Sequence, residues 1–170
     1  MALKYRRVRL VSVILYFLCL ICYLCLILQP AEATEYDIYT QLEIPSIDLT
    51  SDVARLRLEG HELSTPEMIV GGYSQSSNKV LLIGHSTTVF QNLENVAIGD
   101  RLTYGEKGYI VESAEVFAKS QINMGKLLAA EKVDTVVIMT CAGESLAGGD
   151  ATHRLIVTAT ADADVATTHF

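Results

Sequence analysis

The sequence predicts a mainly β fold whose short strands close, or nearly close, into a barrel. Apolar runs of three to five residues recur along the chain, as at residues 80–83, 135–139 and 155–157. Glycine- and serine-rich segments separate these runs, and only brief helical patterns occur between them. Many short strands with few helices are typical of a β-barrel or sandwich.

The N-terminal segment has the composition of a membrane anchor. Residues 10–28 contain no charged side chain, and residues 1–9 carry four basic side chains and no acidic one. A helix of about 20 apolar residues crosses a bilayer, and a basic flank stays in the cytoplasm. We therefore predict a cytoplasmic N-terminus, a single-pass signal anchor at 10–28 and an extracellular domain. A cleaved signal peptide is the alternative, since residues 31–33 form a small-x-small site, and it also exports the domain.

The charge of the exported part excludes one class of partner. The net charge of the whole chain is −7, but the residues after the first thirty carry nine bases against twenty acids, a net charge of −11. So acidic a domain is not expected to bind nucleic acid. We predict a stalk at 29–40, the folded domain at 41–161 and a C-terminal tail at 162–170.

The first half of the domain predicts strands, a loop and a short helix. Pro45 lies within an apolar segment at 42–49, which predicts an edge strand because proline cannot donate to a ladder. Residues 52–62 fit either a strand or a helical turn, and residues 64–78 have the composition of a surface loop. A buried strand at 79–83 ends at Gly84 and His85. Residues 87–96 have the apolar spacing of a short helix that covers the core, and Gly99 with Asp100 then turns the chain.

The second half begins with a hairpin and a brief helix. Residues 101–104 and 109–117 flank a four-residue turn at 105–108. Asn123 is expected to cap a brief helix that follows it. The overall alternation of short strands and turns continues to residue 161.

Three chemically important residues follow or precede buried strands. The strand at 135–139 delivers Thr140 and Cys141 before a small-residue loop at 142–150, and Arg154 precedes the strand at 155–157. His85 ends an earlier strand. If these strands are neighbours, Cys141, Arg154 and His85 meet at one rim of the sheet, an arrangement suited to thiol nucleophilic catalysis.

Each of these residues also has a purely structural interpretation. An isolated cysteine after a strand is usually an unreactive buried residue. Arg154 could be a surface residue that forms an ion pair with Asp150 or Glu144. Cys141 is nevertheless the only thiol of the exported domain, since the other three cysteines lie within 10–28. Three other histidines are weaker candidates. Strand alternation points His153 to the face opposite to that of Arg154. His61 lies in a segment without a clear pattern, and His169 lies in the C-terminal tail.

These motifs resemble those of the sortases, membrane-anchored cysteine transpeptidases of bacterial surfaces. The resemblance covers residues 41–161 and implies a closed eight-stranded β-barrel. Its pieces occur in one order: the segment 42–47, Asn78, the Ile-Gly-His-Ser of 83–86, Phe90, Leu93, Gly99-Asp100, Thr140-Cys141 and Arg154.

The resemblance implies a role for each residue. Cys141 would attack the carbonyl of a sorting-signal peptide and form a thioester, His85 would act as general acid and base, and Arg154 would stabilise the oxyanion. Thr140 is expected to help hold the substrate. The implied partners are exported proteins that bear a sorting signal and an amine acceptor in the cell wall or on a pilin-like protein. No cofactor or metal is expected, and acidic residues such as Glu112 are interpreted as solvated surface.

Two alternatives keep the same fold. In the first, water resolves the thioester and the protein is a hydrolytic thiol peptidase. In the second, the barrel binds peptides without catalysis as a degenerate relative. Retention of Cys141, His85 and Arg154 favours transpeptidation over this second alternative.

Overall fold

The computed structural model describes two compact units, which comprise residues 1–35 and 36–170. The described residues are Tyr16, 18–21, 36–56, 58–59, 62–63, 65–146 and 150–162. In the first unit, Tyr16 and residues 18–21 are helical. None of the helices formed by the described residues has the length and apolar character needed to span a membrane. The predicted anchor at 10–28 falls largely outside the described residues and stays a prediction.

The second unit is a closed eight-stranded β-barrel, which confirms the predicted fold. In chain order the strands are β1 (Ile38–Ile44), β2 (Leu49–Arg55), β3 (Leu58–Glu59), β4 (Glu62–Leu63), β5 (Val70–Ser76), β6 (Lys79–Ile83), β7 (Arg101–Tyr104), β8 (Lys107–Ala118), β9 (Thr135–Ser145) and β10 (Ala151–Ala161). The barrel order is β1-β2-β5-β6-β9-β10-β8-β7, and β7 pairs with β1 to close it. Strands β3 and β4 form a separate two-stranded sheet.

Two pairs of barrel strands are parallel, and one of them organises the chemistry. Strand β6 runs parallel to β9 from Lys79 opposite Thr135 to Ile83 opposite Met139. Strand β9 then pairs antiparallel with β10. The topology therefore places the strands that lead to His85, Cys141 and Arg154 side by side.

The side chains of these strands alternate between two apolar layers. In β9, Val136 and Ile138 point into the barrel, whereas Val137 packs in a second cluster on the outer face. Burying such a side chain completely contributes about 1.5–3 kcal/mol. Both faces of β9 are thus covered, which explains its nearly continuous apolar sequence.

The segment predicted as a loop at 64–78 contains a barrel strand instead, and that prediction was wrong. Strand β5 pairs with β2 on one side and with β6 on the other. Its glycines permit close packing, because a Cβ at Gly71 would lie 2.7 Å from Leu56 Cδ1 and one at Gly72 would lie 2.9 Å from Val53 Cγ1. Glycine here serves a tight interior contact rather than a turn.

The predicted edge strand around Pro45 is also corrected. Strand β1 is paired on both sides, with β2 and with β7. Pro45 lies beyond the strand and begins a 3-10 helix, Pro45–Ile47. Because it stands outside the ladder, its missing N–H costs the sheet no hydrogen bond.

The remaining local predictions were partly right. The segment 87–96 consists of turns and a 3-10 helix, Leu93–Asn95, rather than an α-helix, although Phe90 and Leu93 are buried as expected. The hairpin turn is only Gly105 and Glu106, since β8 already begins at Lys107. A short helix, Met124–Leu128, is capped by Asn123, whose Oδ1 accepts a hydrogen bond of 3.1 Å from the Lys126 N–H. Residues 49–55 form strand β2, which settles the alternative left open there.

Candidate active site

Cys141 and Arg154 face each other across two neighbouring strands. They are direct partners in the antiparallel register of β9 and β10. Along β9, Val137 and Met139 belong to the outer-face cluster, so alternation places Cys141 on the same face. Ile156 belongs to that cluster too, which puts Arg154 beside the thiol. The sequence prediction that these two residues lie side by side is confirmed.

Cys141 occupies an opening in the sheet rather than the end of its strand. Strand β9 continues through it to Ser145, because Ala142 pairs with His153 and Ser145 with Ala151. The expected loop at 142–150 is therefore shorter than predicted. The β6 ladder, however, stops at Met139, so from Cys141 onward β9 pairs with β10 alone. The Cys141 side chain is only half-buried.

Two hydrogen bonds of Gly84, the residue before His85, fix the backbone next to this opening. The Gly84 N–H donates to the Met139 carbonyl at 3.4 Å. The Thr140 hydroxyl donates to the Gly84 carbonyl at 2.8 Å. The turn that carries His85 is therefore joined to the segment that carries Cys141, and His85 is half-buried.

Thr140 has a structural contact that the sequence does not indicate. Its side chain is buried, and its hydroxyl donates a hydrogen bond to the Gly84 carbonyl. The residue separation of 56 explains why no local pattern predicts this bond. The expected contribution of Thr140 to substrate binding stays a prediction.

Arg154 is held by the β9–β10 hairpin. Its Nη2 donates to Asp150 Oδ1 at 2.6 Å, and its Nη1 donates to the carbonyls of Ala151 and His153 at 3.0 and 2.9 Å. Of the two acidic partners considered from the sequence, Asp150 is the observed one. These bonds use three of the five N–H groups of the guanidinium. The other two N–H groups donate no hydrogen bond to any described residue.

The charge of Asp150 is maintained by two cations. Lys119 donates a hydrogen bond to its Oδ2, and Arg154 donates to Oδ1. The Lys119 bond first, and then the Arg154 bond, hold the pKa of the Asp150 carboxyl well below its ordinary value. Sequence reasoning missed Lys119, because the contact joins the end of β8 to the hairpin across 31 residues.

His153 is the one competing histidine among the described residues. The His153 ring bonds the neighbouring Thr152 hydroxyl through Nδ1 at 2.8 Å, at an irregularity of the β10 strand. His61 and His169 lie outside the described residues. Among the histidines with described surroundings, His85 is the one joined to the Thr140–Cys141 segment.

Gly143 gives the hairpin a conformation that other residues rarely adopt. Its φ is +77°. A Cβ there would lie 2.7 Å from both Thr152 Oγ1 and His153 Nδ1. The backbone conformation and the close neighbours thus require a glycine at this position.

Two clefts flank the strands that carry the thiol. The first, here called the thiol cleft, has a volume of about 500 Å³ and is lined by Cys141 itself. The second, the outer-face cleft, has a volume of about 360 Å³ and lies over Val137 and Ile156, between the strands and the segment 121–131. Ile122 and Leu127 line this second cleft and pack against the outer-face cluster.

The sequence comparisons identify a family. A family model described as a sortase domain matches residues 42–162, which is most of the chain. Curated proteins gave no sequence match. The family match includes all four residues singled out above.

Solved structures share the fold. The chain is similar to sortase A from Corynebacterium diphtheriae, with a TM-score of 0.57 and 24% identity over 76% of this chain and 63% of that one. It is similar to sortase C1 of Streptococcus agalactiae, with a TM-score of 0.55 and 21% identity over 74% of this chain and 68% of that one. Listeria monocytogenes sortase A gives a TM-score of 0.57 at 14% identity, over 74% of this chain and 88% of that one.

This chain spans less than two thirds of the length of the Corynebacterium structure, and the two share a fold. The family match over residues 42–162 and the closed eight-stranded barrel agree with each other. The chain therefore belongs to the sortase family.

Proposed function

We propose that the protein is a cysteine transpeptidase that cleaves a sorting-signal peptide through a thioester on Cys141 and transfers the acyl group to an amine. One observation carries the proposal. A half-buried thiol faces an arginine in register and lies where the β6 ladder ends, next to the turn that holds His85. Family membership supports the same activity.

The reaction follows from the roles that these residues can fill. The Cys141 sulfur attacks the peptide carbonyl, and the oxyanion that develops accepts hydrogen bonds from the remaining N–H groups of Arg154. The His85 imidazole takes the proton of the Cys141 thiol, and the C–N bond breaks as the resulting imidazolium gives that proton to the departing amine. The incoming amine then attacks the thioester, loses a proton to His85 and releases the thiolate.

We assign the donor peptide to the outer-face cleft. Its floor is formed by Val137 and Ile156, which share a face with Cys141 and Arg154. A strand advances about 6.6 Å for every two residues, so an extended peptide lying over these side chains reaches the thiol within a few residues. The apolar wall of Ile122 and Leu127 suits apolar side chains of a sorting motif.

Location and partners complete the proposal. We propose that residues 10–28 anchor the protein in the cell membrane and that the barrel acts on its extracellular side. The donors would be exported proteins with a sorting signal, and the acceptor would be an amine of the cell wall or of a pilin-like protein. The apolar stretch and its basic flank support this location.

Product analysis tests the proposal and separates it from hydrolysis. The full chain in detergent is incubated with a library of sorting-type peptides, with and without an added primary amine, and the products are identified by mass. We expect the amine to appear in the product as an amide, and Cys141→Ala to give no product. Hydrolysis alone at every amine concentration would instead support a thiol peptidase, and absence of any covalent adduct would support a binding module.

A further inference from the structure

The end of the barrel opposite to the thiol holds a cavity larger than either cleft described above. This mouth cavity has a volume of about 800 Å³ and is lined by Lys79 and Thr135, the first residues of β6 and β9. Because these parallel strands lead toward His85 and Cys141, the cavity and the thiol lie at opposite ends of the barrel. Small-molecule sites of about 300–1,000 Å³ are common in the mouths of β-barrels.

Tyrosines converge on the mouth cavity. Four of the five tyrosines between residues 36 and 162 line it, namely Tyr39, Tyr73, Tyr104 and Tyr109. Eight of its lining residues carry a hydroxyl group. Aromatic rings offer flat apolar faces, and hydroxyl groups both donate and accept hydrogen bonds. A saccharide matches both features, since a sugar ring has apolar C–H faces and a rim of hydroxyl groups.

Two of these tyrosines form a hydrogen-bonded pair. The hydroxyl oxygens of Tyr39 and Tyr104 lie 2.7 Å apart. A Cβ at Gly72 would overlap the Tyr39 hydroxyl, so the glycine makes room for this ring. Burial first, and then the bond to Tyr39, raise the pKa of the Tyr104 hydroxyl above its ordinary value. One bond uses one hydroxyl hydrogen, so the pair keeps another hydrogen for a ligand.

Arg55 offers the cavity a contact for an acid group. Its guanidinium carbon lies 4.6 Å from the centroid of the Tyr39 ring, and its Nε forms an ion pair of 3.3 Å with Asp37. The terminal nitrogens of Arg55 donate no hydrogen bond to any described residue. Two such nitrogens can donate side by side to one carboxylate.

The mouth cavity is also basic relative to the rest of the domain. The residues after the first thirty carry nine bases and twenty acids. The charged residues that line the cavity are three bases and two acids, which are Arg55, Lys79, Lys107, Glu106 and Asp134. Lys79 and Lys107 each form a salt bridge with a carboxylate, of 3.0 and 2.5 Å. An anion is therefore less disfavoured at this mouth than elsewhere on so acidic a domain, and Arg55 is the base placed to receive it.

We propose that the mouth cavity binds an acidic saccharide, that is, a sugar ring that carries a carboxylate. The ring lies against the Tyr39–Tyr104 pair, and the carboxylate accepts hydrogen bonds from the terminal nitrogens of Arg55. Because the cavity is remote from Cys141, this binding function goes beyond the proposed transpeptidase activity and does not depend on it.

Ligand binding followed by saturation-transfer NMR tests the inference. The full chain is kept in a polyoxyethylene detergent, which has no sugar headgroup, and is titrated with methyl β-glucuronide and methyl β-glucoside. These two sugars differ only in a carboxylate that replaces a hydroxymethyl group. We expect the Kd of the glucuronide to be about 3- to 10-fold lower, the range of about one net hydrogen bond. Acetate and glycerol 3-phosphate, which are anions without a sugar ring, should not displace it.

Three variants assign the contacts. Arg55→Gln should raise the Kd of the glucuronide to that of the glucoside and leave the glucoside unaffected. Tyr104→Phe keeps the ring and removes the hydroxyl, so it should weaken both sugars by a similar factor. Lys132→Gln is the matched control, because it removes an exposed base outside the lining of the cavity, and both Kd values should stay unaltered.

Four results would overturn the proposal. The first is that neither sugar binds the wild type at millimolar concentrations. The second is equal affinity for the glucuronide and the glucoside. The third is a preference for the glucuronide that persists in Arg55→Gln or is lost equally in Lys132→Gln. The fourth is displacement of the glucuronide by glycerol 3-phosphate at equal affinity, which would identify a general anion or lipid-headgroup site instead.

Discussion

At the scale of single residues, Thr140 connects the thiol segment to the turn that carries the imidazole. Its buried hydroxyl donates to the Gly84 carbonyl, immediately before His85. A catalytic base that is misplaced by about 1 Å can lose roughly 100-fold in rate. We therefore propose that Thr140 positions the candidate base His85, a role that requires no contact with substrate.

Replacing Thr140 by valine keeps the shape and removes the donor. We expect a loss of about 1–3 kcal/mol in the free energy of unfolding, because the buried Gly84 carbonyl loses its partner. We also expect kcat to fall roughly 10- to 100-fold with little change in the peptide KM. Urea denaturation and steady-state kinetics measure the two effects.

Thr140→Ser is the matched control, since it retains the hydroxyl and should recover most of the activity. If Thr140→Val instead raises the peptide KM at unchanged kcat, the residue binds substrate, as the sequence predicted, and its positioning role is refuted.

Gly143 makes a second residue-scale prediction. Gly143→Ala forces a side chain into a left-handed conformation, which costs about 1–2 kcal/mol, and into contact with Thr152 Oγ1 and His153 Nδ1. We expect at least this loss in the free energy of unfolding by urea denaturation. Gly125→Ala, in the short helix Met124–Leu128, should change stability by no more than about 1 kcal/mol. Equal stability of Gly143→Ala and wild type would show that the hairpin has another accessible conformation.

At the scale of elements, the β9–β10 hairpin organises the site. Its register opposes Cys141 and Arg154, and an ion network of Lys119, Asp150 and Arg154 fixes its outer end. The pKa of Asp150 is lowered in the folded protein, by Lys119 first and then by Arg154. A carboxyl whose pKa is lowered on folding stabilises the protein above its unfolded-state pKa and loses that contribution as pH falls toward its folded-state pKa.

The network therefore predicts an acid-dependent difference between the wild type and Asp150→Asn. Between pH 8 and 5 the wild type should be more stable by a constant amount, because Asp150 is ionised throughout that range. Below about pH 4, the ordinary pKa of an aspartate, the difference should shrink. Urea denaturation at a series of pH values measures it, and a difference that grows on acidification would contradict the ion network.

The elements also show how far sequence reasoning extends. The buried strand before Gly84 and the position of Cys141 beside Arg154 follow from apolar runs and their flanking residues, and both were predicted, whereas the continuation of β9 to Ser145 was not. Strand β5 was missed because Gly71 and Gly72 signal turns locally, whereas their actual purpose is close packing with Leu56 and Val53. That contact depends on which strands are neighbours in the barrel, and the residue pattern of a single segment does not give this information.

At the scale of the whole molecule, the barrel core holds in place the strands that carry the candidate site residues. Leu82 lies on β6, three residues before His85, and is fully buried in the interior cluster. Leu82→Ala should reduce the free energy of unfolding by about 2–5 kcal/mol, since it removes buried apolar atoms and leaves a cavity. Denaturant unfolding checks this value.

Ile98→Ala is the matched control for Leu82→Ala. Ile98 is 73% exposed. Its truncation should change stability by no more than about 0.5 kcal/mol. A Leu82→Ala variant as stable as Ile98→Ala would refute the described core.

The sequence predicted that the strands leading to the candidate site residues are neighbours, but not the contacts around those residues. The order of the motifs identified Cys141, His85 and Arg154. Strands β6, β9 and β10, which lead to or contain these residues, are neighbours in the barrel. The thiol cleft and the hydrogen bond from Lys119 to Asp150 depend on loops and strand ends that meet only in the closed barrel. Such contacts join residues far apart in sequence, so no local pattern reports them.

The most direct test of the central claim is the intact mass of the full chain, in detergent, after incubation with a sorting-peptide library and no added amine. The wild type should gain the mass of a peptide acyl fragment on Cys141, and hydroxylamine should remove it. Cys141→Ala should gain nothing. An acyl adduct that persists in Cys141→Ala, or peptide cleavage by that variant, would contradict the account.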